Sequence, residues 1–130
     1  MENHKEQNIL LCDDNMLNRK LIIAMLNGQP YRVIEATNGR EALDCALTDN
    51  HSIDLVLLDI SMKGLSGVEV CRAIRDGERH KRHHLPIIAY TAHAMIDERE
   101  RYISAGFDDI LTKPVMREEL FRILSRYLPE

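Results

Sequence analysis

Apolar residues follow two alternating spacings along the chain. Short unbroken apolar runs, typical of strands covered on both faces, recur between stretches whose apolar positions return at helical intervals. The first run is "NILLC", Asn8 to Cys12, and it ends at Asp13 and Asp14. Asn15 can cap a helix with apolar positions Leu17, Leu21, Ile22, Met25 and Leu26, all expected to face a core, and Gly28 stops it. "YRVIEA", Tyr31 to Ala36, reads as a strand, and "TNGREALDCAL" as a turn followed by a helix through Ala42, Leu43, Ala46 and Leu47. "IDLVLLD", Ile53 to Asp59, is a third strand. A loop with Gly64 and Gly67 then leads to a helix whose apolar side holds Val68, Val70, Cys71 and Ile74, closed by Gly77. "LPIIAYT" is a strand introduced by Pro86, which a first strand position tolerates. A rather polar helix, "MIDERERYISAG", ends at Gly106; "DDILT" is a short fifth strand and "REELFRILSRYL" a final amphipathic helix.

Strand and helix in strict alternation imply an α/β fold, a parallel sheet with helices on both faces, and right-handed crossovers leave few topologies. In such sheets ligands bind beyond the carboxyl ends of the strands. Those ends carry Asp13 and Asp14, Asp59, Thr91 and Lys113, all polar and all expected on one edge. An ionised carboxylate at the end of a buried run is costly without a partner. Something must neutralise Asp59, or its charge must be used.

With 130 residues, 45% of them hydrophobic and 29% charged, the chain has the size and balance of one globular domain. A polar leader over residues 1–8 is expected to precede a domain over residues 9–128. The net charge of -4 disfavours direct nucleic-acid binding. No apolar run is long enough for membrane insertion, and "MENHKEQN" lacks a signal-peptide core, so a cytoplasmic protein is expected. Met1 and the charged leader favour a free-standing protein over a domain cut from a larger one. The three cysteines, Cys12, Cys45 and Cys71, show no metal-type spacing and read as reduced thiols.

Clustered carboxylates repel one another, and their pKa values rise unless a cation intervenes. Oxygen ligands suit Mg²⁺, with Mn²⁺ a possible substitute, and the lack of His and Cys ligands at this edge argues against zinc. An aspartate beside bound Mg²⁺ is a candidate nucleophile towards phosphorus. The ammonium of Lys113 and the hydroxyl of Thr91 can each take a phosphoryl oxygen, since such transfer is mainly positioning and charge stabilisation.

Four motifs in order, "LLCDDN", "LVLLDISMKGLSG", "YTA" and "ILTKPV", carry a resemblance to the receiver domain of two-component response regulators, over Ile9 to about Leu128. The resemblance implies a flavodoxin-like doubly wound sheet in the order 2-1-3-4-5 with five helices. It implies that Asp59 accepts a phosphoryl group from a histidine kinase or a histidine phosphotransfer protein. Asp13, Asp14, Asp59 and the backbone carbonyl of Ser61 would hold Mg²⁺, Thr91 and Lys113 would bind the phosphoryl group, and the Lys113–Pro114 bond would be cis. Such a domain is a signalling device that switches contacts with a downstream protein or output domain, and is not a turnover enzyme. "DDNMLNRKL" and "AGFDDILTKP" look most like receivers of hybrid kinases.

The chain departs from that pattern in two places. Lys63 stands where the family usually has a proline, and aliphatic Ile110 stands where it commonly has a switch aromatic. His93, two residues past Thr91, either borders the acceptor site or simply opens the next helix. The basic run from Arg79 to Leu85 reads as a solvated loop, with an acidic partner or a His80, His83, His84 metal site as alternatives. A phosphatase resembling the haloacid dehalogenases would need a second acid where Ser61 stands. A receiver kept only as a protein-binding module is the other rival.

Overall fold

In a computed structural model, which describes residues 6–48, 52–77 and 84–129, strands and helices alternate throughout. The order is β1 (Gln7–Cys12), α1 (Met16–Leu26), β2 (Tyr31–Ala36), α2 (Gly39–Leu47), β3 (Leu55–Asp59), α3 (Gly67–Gly77), β4 (Ile87–Thr91), α4 (Ile96–Ala105), β5 (Asp109–Thr112) and α5 (Arg117–Tyr127). All strands pair in parallel, in the order β2-β1-β3-β4-β5. This is the flavodoxin-like arrangement that the resemblance implies. Ile53 and Asp54 fall outside β3, whose pairing starts at Leu55 opposite Ile9. Asp54 instead clasps β1, its carboxylate accepting from Asn8 N at 2.7 Å.

Strand alternation divides the apolar side chains between two cores. Leu10, Cys12, Val56, Leu58, Ala89 and Ile110 pack on one face, under α2, α3 and α4. Ile9, Leu11, Leu55, Leu57, Ile88, Tyr90 and Leu111 pack on the other, under α1 and α5. With a period of two, Asp13, Asp59 and Lys113 continue the α1/α5 face, and Thr91 continues the opposite one.

Helix ends follow the residues that suit them. Asn15 Oδ1 accepts from Asn18 N at 3.0 Å to cap α1, and Asn38 does the same for α2. Gly106 closes α4 with a φ of +114°, in the left-handed region that favours glycine. The apolar stripe expected of α1 is corrected. Leu17 and Leu21 are exposed, and the helix instead turns Arg19, Ile22 and Leu26 inward. Spacings of three and four select that stripe, and Arg19 tolerates burial because its guanidinium pairs with Glu35 and donates to the Asp13 carbonyl. Met16, Met95 and Met116 are exposed as well, so the methionines and leucines of the helices are not uniformly core.

At the amino ends of the strands, Asp108 organises a tight polar junction. Its carboxylate accepts from Arg75 Nη2 at 2.7 Å and Ile87 N at 2.8 Å, and meets His84 Nε2 at 2.6 Å. Arg75 also donates to the carbonyls of Leu85 and Gly106, tying α3 to the entry of β4 and β5. Arg79 to His83, including His80, and residues 1–5 of the leader lie outside the described residues. Among the described residues, no helix is long and apolar enough to cross a membrane.

Candidate functional site

The carboxyl edge of the sheet gathers the residues that the pattern selects. Asp13 and Asp14 follow β1, Asp59 ends β3, Thr91 ends β4 and Lys113 follows β5. One carboxylate oxygen from each of Asp13, Asp14 and Asp59 lies within 4.8 Å of the others. Asp13 and Asp59 are buried, while Asp14 is exposed at the rim.

Asp13 Oδ1 accepts from Asn15 N at 2.8 Å, fixing the turn into α1. Its Oδ2 is buried and accepts no hydrogen bond, with Lys113 Nζ standing 3.6 Å away. A buried acceptor without a donor is unusual and points to a missing partner. Asp59 Oδ1 accepts from Lys113 Nζ at 3.2 Å and from Ser61 N at 3.3 Å. Burial, then the neighbouring Asp13 carboxylate, pushes Asp59 from 3.8 up to about 6, against the opposing pull of Lys113 and the Ser61 N–H. An all-oxygen donor set with one orphaned acceptor fits a hard cation such as Mg²⁺.

Thr91 is buried, and its hydroxyl accepts from His93 N at 2.9 Å. The His93 carbonyl in turn accepts from the Tyr102 hydroxyl at 3.0 Å, joining the end of β4 to α4. His93 itself is exposed ahead of α4. The Lys113–Pro114 bond is cis. Ile110 packs in the core beneath α3 and α4.

Lys63 bears directly on the site. Its N–H donates to Asp14 Oδ2 at 3.4 Å, a contact that a proline, lacking the N–H, could not make. Cys12 is held near the acids, and burial, then Asp59 and Asp13, pushes its thiol up to about 12, so it stays protonated. The described cysteines are all free thiols, in line with the reduced state expected of them.

Two residues near the site escape sequence reasoning. Arg19 Nη1 donates to the Asp13 carbonyl at 2.7 Å and Nε pairs with Glu35 at 2.9 Å, bracing the acidic turn from behind. The arginine interrupts an apolar helix, which is its sequence signal. Tyr90, the aromatic in an otherwise aliphatic run, places its ring under Lys113.

A family model of the response regulator receiver domain matches residues 9–125. The chain belongs to that family. Receivers are signalling domains of two-component systems and not turnover enzymes, which removes the phosphatase alternative.

Among curated relatives of this receiver, hybrid signal transduction histidine kinase I of Dictyostelium discoideum is 39% identical over 122 residues. That match takes in 92% of the chain but only 7% of the kinase. The polar-differentiation response regulator DivK of Brucella anthropi is 34% identical, over 94% of the chain and 96% of DivK. The receiver domain of sensor histidine kinase PA1611 of Pseudomonas aeruginosa, solved with magnesium coordinated in its active site cleft, is 40% identical with a TM-score of 0.82. That alignment spans 95% of this chain and 98% of the other. The receiver of Ssk1 from Saccharomyces cerevisiae, solved with the histidine phosphotransfer protein Ypd1, is 26% identical with a TM-score of 0.84, over 97% and 91%.

Proposed function

We propose that residues 9–128 form a receiver that takes a phosphoryl group on Asp59 from a phosphohistidine and thereby switches its protein contacts. The convergence of Asp13, Asp14 and Lys113 Nζ on Asp59 carries this reading. An Asp59 carboxylate oxygen forms the new P–O bond as the P–N bond of the phosphohistidine breaks, and the imidazole nitrogen keeps the bonding pair. Asp13, Asp14, Asp59 and the Ser61 carbonyl would hold Mg²⁺, or Mn²⁺, which shares its preference for oxygen ligands. Bound there, the cation supplies charge neutralisation to the acids and to a phosphoryl oxygen. Lys113 holds a second oxygen, and Thr91 turns its hydroxyl from the loop to a third.

The donor is a histidine kinase or a histidine phosphotransfer protein, as the relatives suggest, and the reader of the phosphorylated state is a downstream protein or output domain. Direct nucleic-acid binding and membrane insertion form no part of this reading. On this reading the receiver works in the cytoplasm, where a phosphohistidine donor of this kind would meet it. Burial of Leu128 against the α1/α5 core supports a domain reaching residue 128. Incubation with acetyl phosphate and Mg²⁺, followed by intact mass spectrometry, should add one phosphoryl group. The addition should vanish without divalent cation and in Asp59→Asn. An unmodified wild-type protein under saturating donor would leave only a protein-binding module.

A further inference from the structure

The acid pocket depends on the ammonium of Lys113, and a lysine is a compact charge on a flexible stem that must be held somewhere. Three groups surround Nζ: Asp59 Oδ1 at 3.2 Å, Asp13 Oδ2 at 3.6 Å, and the Tyr90 ring, whose centroid is 4.3 Å away. We propose that Tyr90 is a positioning residue for phosphoryl transfer, its ring face holding the Lys113 ammonium over Asp59 before, during and after the reaction. The proposal rests on Asp59 being the acceptor.

The two carboxylates are unreliable anchors during the chemistry. Cation binding draws on both, and phosphorylation turns one Asp59 oxygen into the bridging oxygen of a mixed anhydride, removing its negative charge. The ammonium must then shift its pairing to a phosphoryl oxygen. Of its three neighbours, only the ring keeps its charge distribution throughout. The ring is also well fixed. Tyr90 lies opposite Asp59 in the β3–β4 register and is packed with Ile88 and Leu111 in the α1/α5 core. A cation over an aromatic face gains most where water is excluded, and Lys113 is largely buried. Burial, then Asp13 and Asp59, pushes the Tyr90 hydroxyl upward, so the residue stays neutral and adds no competing anion.

A core residue that merely fills space would give the same fold, so the test must read the ring's electrons. Tyr90 is replaced by Phe, by Leu, and by phenylalanine carrying one, two or three ring fluorines, which change the ring's charge and hardly its shape. Two measurements are made on the full chain. One is the saturation curve for Asp59 phosphorylation by acetyl phosphate with Mg²⁺. The other, without donor or cation, is the rate of reductive methylation of Lys113, read by peptide mass spectrometry alongside a thermal melt.

Tyr90→Phe should match the wild type within about twofold, while Tyr90→Leu should lose about fivefold or more in phosphorylation efficiency. Lys113 methylation in Tyr90→Leu should be several-fold faster, and the fluorinated series should decline stepwise in efficiency without a matching loss in melting temperature. Equal behaviour of Phe, Leu and trifluorophenylalanine in both measurements would overturn the proposal. If Tyr90→Leu does not fold, the fluorinated series alone decides it. Failure of the wild type to be phosphorylated would instead overturn Asp59 as acceptor, and the lysine reactivity would then decide whether the ring holds the ammonium.

Discussion

Asp59 carries its negative charge at a cost, and the cost has a sign. Its pKa lies near 6 in the fold against 3.8 for the ordinary side chain, so the fold favours the protonated form. The contribution of this group to stability is therefore fully present below about pH 4 and is lost as pH rises through about 6. Each pKa unit is worth about 1.4 kcal/mol, which sets a ceiling of about 3 kcal/mol on the penalty at neutral pH. Asp59→Asn, which removes the charge and keeps the shape, should melt a few degrees above the wild type at pH 7.5 in EDTA. The gap should close as pH falls from 6 to 4, and a gap independent of pH would contradict this account. The place of this residue among the acids at the carboxyl edge was legible from sequence, because an acid ending an unbroken apolar run needs a reason to be there. The braces were not. Arg19 interrupts the apolar pattern of α1, but only the fold brings its guanidinium against the Asp13 carbonyl.

Among the elements, the junction of β3 with α3 sets where Asp59 stands. Gly67 opens α3 with its N–H donating to the Ile60 carbonyl at 3.0 Å, and a Cβ there would run into the Asp59 carbonyl oxygen. The obstruction is backbone and cannot swing aside. Gly67→Ala should cost about 1–3 kcal/mol in denaturant unfolding, and should slow Asp59 phosphorylation beyond what that destabilisation explains. Alternating periods revealed every strand and helix, with breaks marked by Gly28, Gly77 and Gly106, by the caps Asn15 and Asn38 and by Asp13 and Asp59, whereas β4 and β5 end at Thr91 and Thr112. The orientation of α1 was less legible. Apolar residues lie on more than one side of that helix, so periodicity alone left Leu17 and Leu21 as plausible as Ile22 and Leu26. The choice is made by Arg19, whose partners Asp13 and Glu35 come from the sheet edge.

For the molecule as a whole, a cation held by Asp13, Asp14 and Asp59 as proposed would be linked to folding, because the fold is what brings these acids together. Anything that binds the native state alone raises its stability by mass action. Millimolar Mg²⁺ should therefore raise the melting temperature at pH 7.5. The rise should shrink below pH 6, where protons compete for Asp59, and should be abolished in Asp13→Asn. An equal rise in Asp13→Asn would show binding elsewhere. Strand order was open from alternation alone and was narrowed by the resemblance, whereas the polar ties between distant segments had no pattern to betray them. Asp108 is the clearest of these ties: at the amino end of the sheet, arginine, histidine and a backbone amide complete its coordination from within the chain. The opposite end has no such self-sufficiency at Asp13, whose buried Oδ2 accepts no hydrogen bond from within the chain. If the acids hold magnesium as proposed, one pole of the domain is finished at synthesis and the other by the surroundings, and magnesium scarcity would silence the receiver without unfolding it.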